Sequence, residues 1–295
     1  MIPKEVLRKV RQIEIKTQRV VDSILSGGYH SVFRGRGMEF SEVRAYVEGD
    51  DVRTIDWNVT ARMGDPYVKK HVEERELTVM LLVDASASGE FGSAERLKTE
   101  VAVELCALLA FSAIRNNDRV GLVIFTSEVE KYVPPKKGKN HVLRVIRELL
   151  YFRPRKSGTR INEAVRFLTK VQRKKAVVFL VSDFLDDGFA DPLRVAAKRH
   201  DMIAVRMVDA RECRLPPVGL IDLEDAESGR TIVVDAGNAA LRRAYERHIA
   251  ARRQNLTQLF RSIGIDEIRI DTSQDYVEPL VKFFRKRERK MAAVG

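Results

Sequence analysis

Two stretches constrain the fold of this chain more than any others. LTVMLLVD, residues 77–84, and KAVVFLVSD, residues 175–183, are apolar runs that each end on a carboxylate. A strand covered on one face alternates apolar and polar residues, whereas a strand covered on both faces does not. Runs of this kind predict buried strands of a parallel sheet with helices on both sides. In such sheets the functional crevice lies outside the carboxyl ends of the strands. Asp84 and Asp183 close their runs, so both are placed to face one site.

The remaining segments supply matching elements. Apolar residues at helical spacing, among them Val6, Val10, Ile13, Val20 and Ile24, predict an amphipathic helix over 4–26 that ends at Gly27 and Gly28. A polar, irregular segment follows, from 29 to about 76. Beyond the first buried strand the pattern predicts a long helix at 94–116 and a strand at 119–126. A short strand at 129–133 is expected to stop at Pro134 and Pro135. Helices are read at about 140–152 and 161–171, then the strand at 175–183, a helix at 192–200 and a strand at 202–209. This alternation predicts an α/β fold with a doubly wound, mostly parallel sheet. After Pro216 and Pro217 the pattern changes to a β-hairpin at 219–235 and a helix at 239–262. A last strand at 267–271 and a closing helix at 276–289 follow. The organisation read from this is an N-terminal helix and irregular segment, 1–76, before an α/β domain, 77–295. The hairpin and long helix form an insertion at about 211–264.

Charge and composition exclude several classes. The net charge is +11, but the excess is spread over 4–19, 136–139, 173–175 and 285–290. No helix-turn-helix, zinc-finger or aromatic-basic strand pattern accompanies it. Solvated helix faces account for it, and no nucleic-acid partner is expected. Cys106 sits in an apolar run and reads as a core residue. Neither it nor Cys213 belongs to a CxxC pair. The five histidines are scattered without an HExxH, and His200 reads as a cation at a helix end. No apolar stretch approaches the roughly 18 residues of a membrane span, and the first residues lack a signal-peptide core. The expectation is a cytoplasmic protein without a membrane span. Asp50, Asp51 and Asp56 read as acids of a turn that pair with Arg44, Arg53 or Arg62. Trp57, the single tryptophan, reads as an anchor that docks its segment on the core.

The motif that carries chemistry is DASAS, residues 84–88, at the end of the first buried strand. A hard cation such as Mg²⁺ prefers oxygen ligands in near-octahedral geometry. Asp84, Ser86 and Ser88 offer one carboxylate and two hydroxyls from a tight loop. With a single negative ligand there, the ion keeps much of its charge and can capture a carboxylate from a partner. Thr159, in a loop before a helix, can add a hydroxyl. Asp183 can accept hydrogen bonds from a metal-bound water.

DASAS, SGTRINEAV and VVFLVSDF together resemble the metal-ion-dependent adhesion site of von Willebrand factor A domains. The resemblance covers roughly residues 77–210 and implies that Asp84, Ser86, Ser88, Thr159 and Asp183 take the five metal positions, in the family's order. It implies Mg²⁺, or else Mn²⁺ or Ca²⁺. The segment GRGMEFSEVRAYVEGDDVRTIDWNVTARMGDPYVKKHVEERE, just before this region, resembles the bacterial family called domain of unknown function 58. That resemblance implies a MoxR-type AAA+ ATPase as partner. It also sets this chain apart from longer relatives that carry membrane spans.

Two function classes follow. The first is a non-enzymatic adaptor or co-chaperone that binds a partner carboxylate through the metal. The second is a metal-dependent phosphohydrolase of the haloacid dehalogenase type, which also places an aspartate at the end of a first strand. That chemistry needs a second aspartate two residues on, as general acid, and here the position is Ser86.

Overall fold

A computed structural model describes residues 10–15, 17, 20, 42–52, 55–70, 77–87, 96–225 and 229–292. The chain forms two compact units, one of residues 33–76 and one of residues 1–32 with 77–295.

In the smaller unit, β1 (Glu42–Ala45) and β2 (Tyr67–Lys70) pair antiparallel, and α1 (Trp57–Met63) lies between them in sequence. The segment expected to be irregular therefore contains regular structure. Four-residue strands are too short to show a period of two. The helix, however, carries local signals at both ends. Asp56 caps it, its carboxylate accepting the N–H groups of Asn58 (3.0 Å) and Val59 (3.3 Å). Gly64 ends it in the left-handed conformation, at φ 86°. Asp50 pairs with Arg44 at 2.7 Å, as the turn reading anticipated. Trp57 does not act as a buried anchor: it opens α1 with 66% of its surface exposed.

In the larger unit residues 10–15 are helical, with Val10 buried. Most of the expected helix over 4–26 lies outside the described residues. The sheet begins with β3 (Thr78–Asp84), followed by α2 (Lys98–Arg115), β4 (Arg119–Phe125) and β5 (Val129–Lys136). Next come α3 (Lys139–Leu150), α4 (Ile161–Val171), β6 (Val177–Ser182), α5 (Ala190–Arg199) and β7 (Asp201–Val208). A short α6 (Ala210–Cys213) leads to the hairpin of β8 (Leu220–Glu224) and β9 (Thr231–Asp235). Then α7 (Ala239–Ser262), β10 (Asp266–Asp271) and α8 (Val277–Ala292) complete the unit.

Six strands form the central sheet in the order β10-β7-β6-β3-β4-β5, and every neighbouring pair is parallel except β4 and β5. This is the doubly wound, mostly parallel α/β sheet that the apolar runs predict. β3 sits in the middle, and Val79 to Leu82 have no exposed surface. On one face Met80, Leu82, Val178 and Leu180 pack against Ile161, Ala164, Val165 and Leu168 of α4. Those four helix positions recur at the spacing of a single stripe. On the other face α2, buried along most of its length, packs across β3, β4 and β7.

Three readings are corrected by the structure. β5 does not stop at Pro134 but runs through both prolines to Lys136. It is an edge strand with a register shift beside them, which is where a missing N–H is tolerated. Gly121 lies beside the same prolines: a Cβ there would lie 2.6 Å from Met80 Sδ and 3.2 Å from the Pro135 nitrogen. Asp183 lies one residue beyond β6 rather than ending it. His200 follows α5, but its ring is 3% exposed, and burial pushes its pKa down. Burial disfavours the charged imidazolium expected there, and the backbone N–H of His200, bonded to Ala196, provides the helix end.

Candidate functional site

The carboxyl ends of β6, β3 and β4 lie side by side, and the two aspartates predicted from the apolar runs meet there. Asp84 is the last residue of β3, and its carboxylate is held from two directions. The Ser86 N–H donates to Oδ1 at 3.0 Å, which folds the DASAS loop back on its first residue. The Ser182 hydroxyl, at the end of β6, donates to Oδ2 at 2.6 Å. Burial, and then the charge of Asp183, push the Asp84 carboxyl up to about 6, against these hydrogen bonds. Ser86 is itself buried.

The loop after β6 is pinned in an unusual backbone conformation. Phe184 has φ 58°, a left-handed conformation that costs a residue with a Cβ about 1–2 kcal/mol. Its ring is buried edge-on against Phe189 and Phe260, and its N–H donates to the Ser182 hydroxyl at 3.0 Å. Aromatic burial of this kind exceeds the backbone cost. The result fixes Asp183, whose Oδ1 accepts the Leu185 N–H at 3.2 Å.

Thr159 lies in the loop before α4. On its C-terminal side the Arg160 N–H donates to the Thr126 carbonyl just past β4, at 2.9 Å. The Ile161 N–H donates to Asp186 Oδ2, in the loop after β6, at 2.7 Å. Since β4 and β6 flank β3, these two bonds stretch the Thr159 loop across the end of the Asp84 strand. The structure thus brings Asp84, Ser86, Thr159 and Asp183 to one edge of the sheet. Ser88 lies outside the described residues.

Two participants escaped the sequence reading. Lys98, the first residue of α2, reaches into this edge with its side chain only 3% exposed. Its ammonium lies 3.2 Å from Asp183 Oδ2 and also donates to Glu212 of α6. A lysine in the first turn opposes the helix dipole, which is only a weak sign of a carboxylate partner, since Glu100 lies in the same turn. Glu212 gave a weaker one. It returns to the Asp209 N–H at 3.3 Å in the capping box of α6. Burial pushes its carboxyl up, against the pull of Lys98.

Asp183 and Glu212 thus share one ammonium, and Asp84 faces Asp183 as a third carboxylate. With all of them ionised the group carries −2, in a region where burial makes charge costly. A divalent cation would relieve the repulsion between Asp84 and Asp183 and, with Asp84 as its one direct carboxylate, would keep charge to spare; the oxygens around it suit Mg²⁺. Asp84, Ser86, Thr159 and Asp183 are the described residues that can hold it.

A family model described as "Protein of unknown function DUF58" matches residues 42–255. The uncharacterized protein Rv1480 of Mycobacterium tuberculosis (strain ATCC 25618 / H37Rv) is 33% identical over 285 residues, which covers 95% of this chain and 89% of that one. The uncharacterized protein MAV169 of Mycobacterium avium is 28% identical over 162 residues, 53% of this chain and 94% of that one. Among solved structures, the conserved hypothetical protein BatB from Bacteroides thetaiotaomicron aligns with a TM-score of 0.49 at 18% identity, covering 72% of this chain and 99% of its own. The SpRpn10 VWA domain aligns at 0.39 and 11% identity, covering 70% and 95%.

Proposed function

We infer the role of this chain, which belongs to the DUF58 family of proteins of unknown function, from the uncompensated charge at its carboxyl edge. It is a non-enzymatic protein-interaction module of von Willebrand factor A-like fold. Mg²⁺, held by Asp84, Ser86, Ser88, Thr159 and Asp183, is its docking point. The bound ion supplies a positive centre with an open coordination position, which an acidic side chain of the partner fills. The observation that carries this reading is Asp84. It is a carboxylate at the carboxyl end of β3 that faces Asp183, and its described hydrogen bonds come from the Ser86 N–H and the Ser182 hydroxyl, both neutral donors.

The same geometry disfavours hydrolysis. A phosphohydrolase of the haloacid dehalogenase type needs an acid at position 86, where a serine stands. Ser86 and Ser182, the hydroxyls closest in sequence and bonding to Asp84, are both buried. The partner we propose is a MoxR-type AAA+ ATPase, for which this chain acts as adaptor or co-chaperone. Among the described residues no helix is long and apolar enough to cross a membrane.

The test is isothermal titration of the metal-free protein with Mg²⁺, paired with capture of partners from native lysate with and without EDTA. Wild type is expected to bind Mg²⁺ and to capture an AAA+ ATPase only without the chelator. Asp84→Ala should lose both. Equal capture in all three conditions would overturn the metal-bridged reading, and phosphatase turnover that vanishes in Asp84→Ala would replace it with the hydrolase.

A further inference from the structure

We propose that Lys98 is the resident cation of this site, which a divalent ion and its bound water must displace from Asp183, so that Lys98 and Glu212 together set how tightly the metal binds. The inference rests on the metal reading above and adds two residues that supply no ligand.

Geometry carries it. Lys98 reaches Asp183 at 3.2 Å, on the carboxylate that the metal shell requires. Its side chain is nearly all buried, so the contact is not a loose surface pair. A fixed positive charge there repels an incoming divalent ion, and the repulsion is strong because little water screens it. The lysine nevertheless has somewhere to remain. Glu212 holds it from the other side, and Glu212 is itself anchored. Its Oε2 accepts the Asp209 N–H at 3.3 Å, and its carbonyl accepts the Tyr245 hydroxyl of α7 at 2.8 Å. Asp209 is in turn fixed by the Arg211 N–H (2.8 Å) and the Thr272 hydroxyl (3.1 Å). When the metal and its bound water take Asp183, Lys98 keeps a carboxylate partner and is not left buried and unpaired, the state that is most costly.

The two residues therefore act with opposite signs. Removing the lysine charge removes the competitor. Removing the Glu212 charge leaves Lys98 with Asp183 alone and holds it there harder.

The experiment is Mg²⁺ titration by calorimetry of the full chain, with the Mg²⁺-induced rise in melting temperature as a second readout. Lys98→Met is expected to tighten Mg²⁺ binding about tenfold or more. Glu212→Gln is expected to weaken it by a similar factor. A merely structural role would weaken binding in both variants or change it in neither, and either result would overturn the proposal. If Lys98→Met is too unstable without metal to titrate, Glu212→Gln alone decides, since unchanged or tighter binding there is equally fatal. Wild type that binds Mg²⁺ beside an unaltered Lys98→Met sinks this inference and leaves the metal reading standing. Failure of both proteins to bind sinks the two together. Binding by Lys98→Met with none by wild type supports both.

Discussion

The same sheet carries a cation between two carboxylates at each of its ends, and the two arrangements are built differently. At the amino ends, Arg287 of α8 bridges Asp201, the first residue of β7, and Asp266, the first residue of β10. Its Nε lies 2.8 Å from Asp266 Oδ2, and a second nitrogen of the same fork takes Asp201. Lys290 adds a second cation at 3.6 Å from Asp266, so two acids meet two bases. At the carboxyl ends, Lys98 bridges Asp183 and Glu212 with a point charge, and Asp84 stands beside them as a third acid. One end is balanced and held by a planar fork with fixed donor geometry. At the other end the described acids outnumber a single ammonium on an unbranched, buried stem. Balance marks a clasp that closes the last helix onto the sheet. On the proposed reading, the deficit is where the divalent ion binds.

The largest effect that would break this contrast lies at the balanced end. Arg287→Ala leaves two aspartates facing each other beneath α8 and removes the guanidinium from over the Phe283 ring. Loss of one partner from a buried pair costs about 3–5 kcal/mol, and the partial exposure of both acids puts this case at the lower end. Chemical denaturation should show that loss while Mg²⁺ affinity stays at the wild-type value. If Arg287→Ala were to weaken metal binding while the chain remained folded, the two ends would not be independent.

The second effect concerns Asp84 and has the opposite sign. Its carboxyl titrates at about 6 in the folded protein, against about 4 in an unfolded chain. Between those values the folded state holds a proton that the unfolded state has lost. Stability of the metal-free protein therefore falls as pH rises from about 4 to 6 and then levels. The whole step is at most about 3 kcal/mol. Asp84→Asn mimics the protonated acid and lacks the step. In EDTA it should match wild type near pH 4 and exceed it above pH 6, measured by denaturant midpoints across the range. Parallel curves for the two proteins would mean that the carboxyl edge carries no unbalanced charge. Excess Mg²⁺ should erase the advantage of the variant, because the ion stabilises only the protein that binds it.

The unequal legibility of the two ends has a physical cause. The strands were readable because burial on both faces writes itself into consecutive residues, as in 77–84 and 175–183. The long helix of the insertion was read with its observed bounds, and the structure shows Asn238 capping its start through the N–H groups of Ala240 and Leu241. Asp84 and Asp183 were readable because strand ends at a doubly wound sheet share an edge. Lys98 and Glu212 were not, since their carboxylate and ammonium partners lie 85 and 114 residues away in sequence and leave no local period. Arg287 is equally remote from Asp201, at 86 residues, and read only as part of a basic run. Sequence patterns report burial and caps, which are local. Ion pairs across a sheet depend on which strand starts and ends the fold brings together.

The smallest effect asks whether the amino-end clasp works by its fork or by its charge count. Lys290→Ala removes one of the two bases there, leaving −1 on paper. Its ammonium, however, is more than half exposed and 3.6 Å from Asp266, a geometry in which water screens the pair. Such pairs contribute about 0–0.5 kcal/mol, so the denaturation midpoint of Lys290→Ala should barely move. A conservative Arg287→Lys, which keeps the charge and loses the fork, should instead cost more than Lys290→Ala. If Lys290→Ala proves the costlier of the two, net charge rather than donor geometry holds the amino end. The contrast with Lys98 would then lie only in the missing charge, not in the kind of cation each end employs.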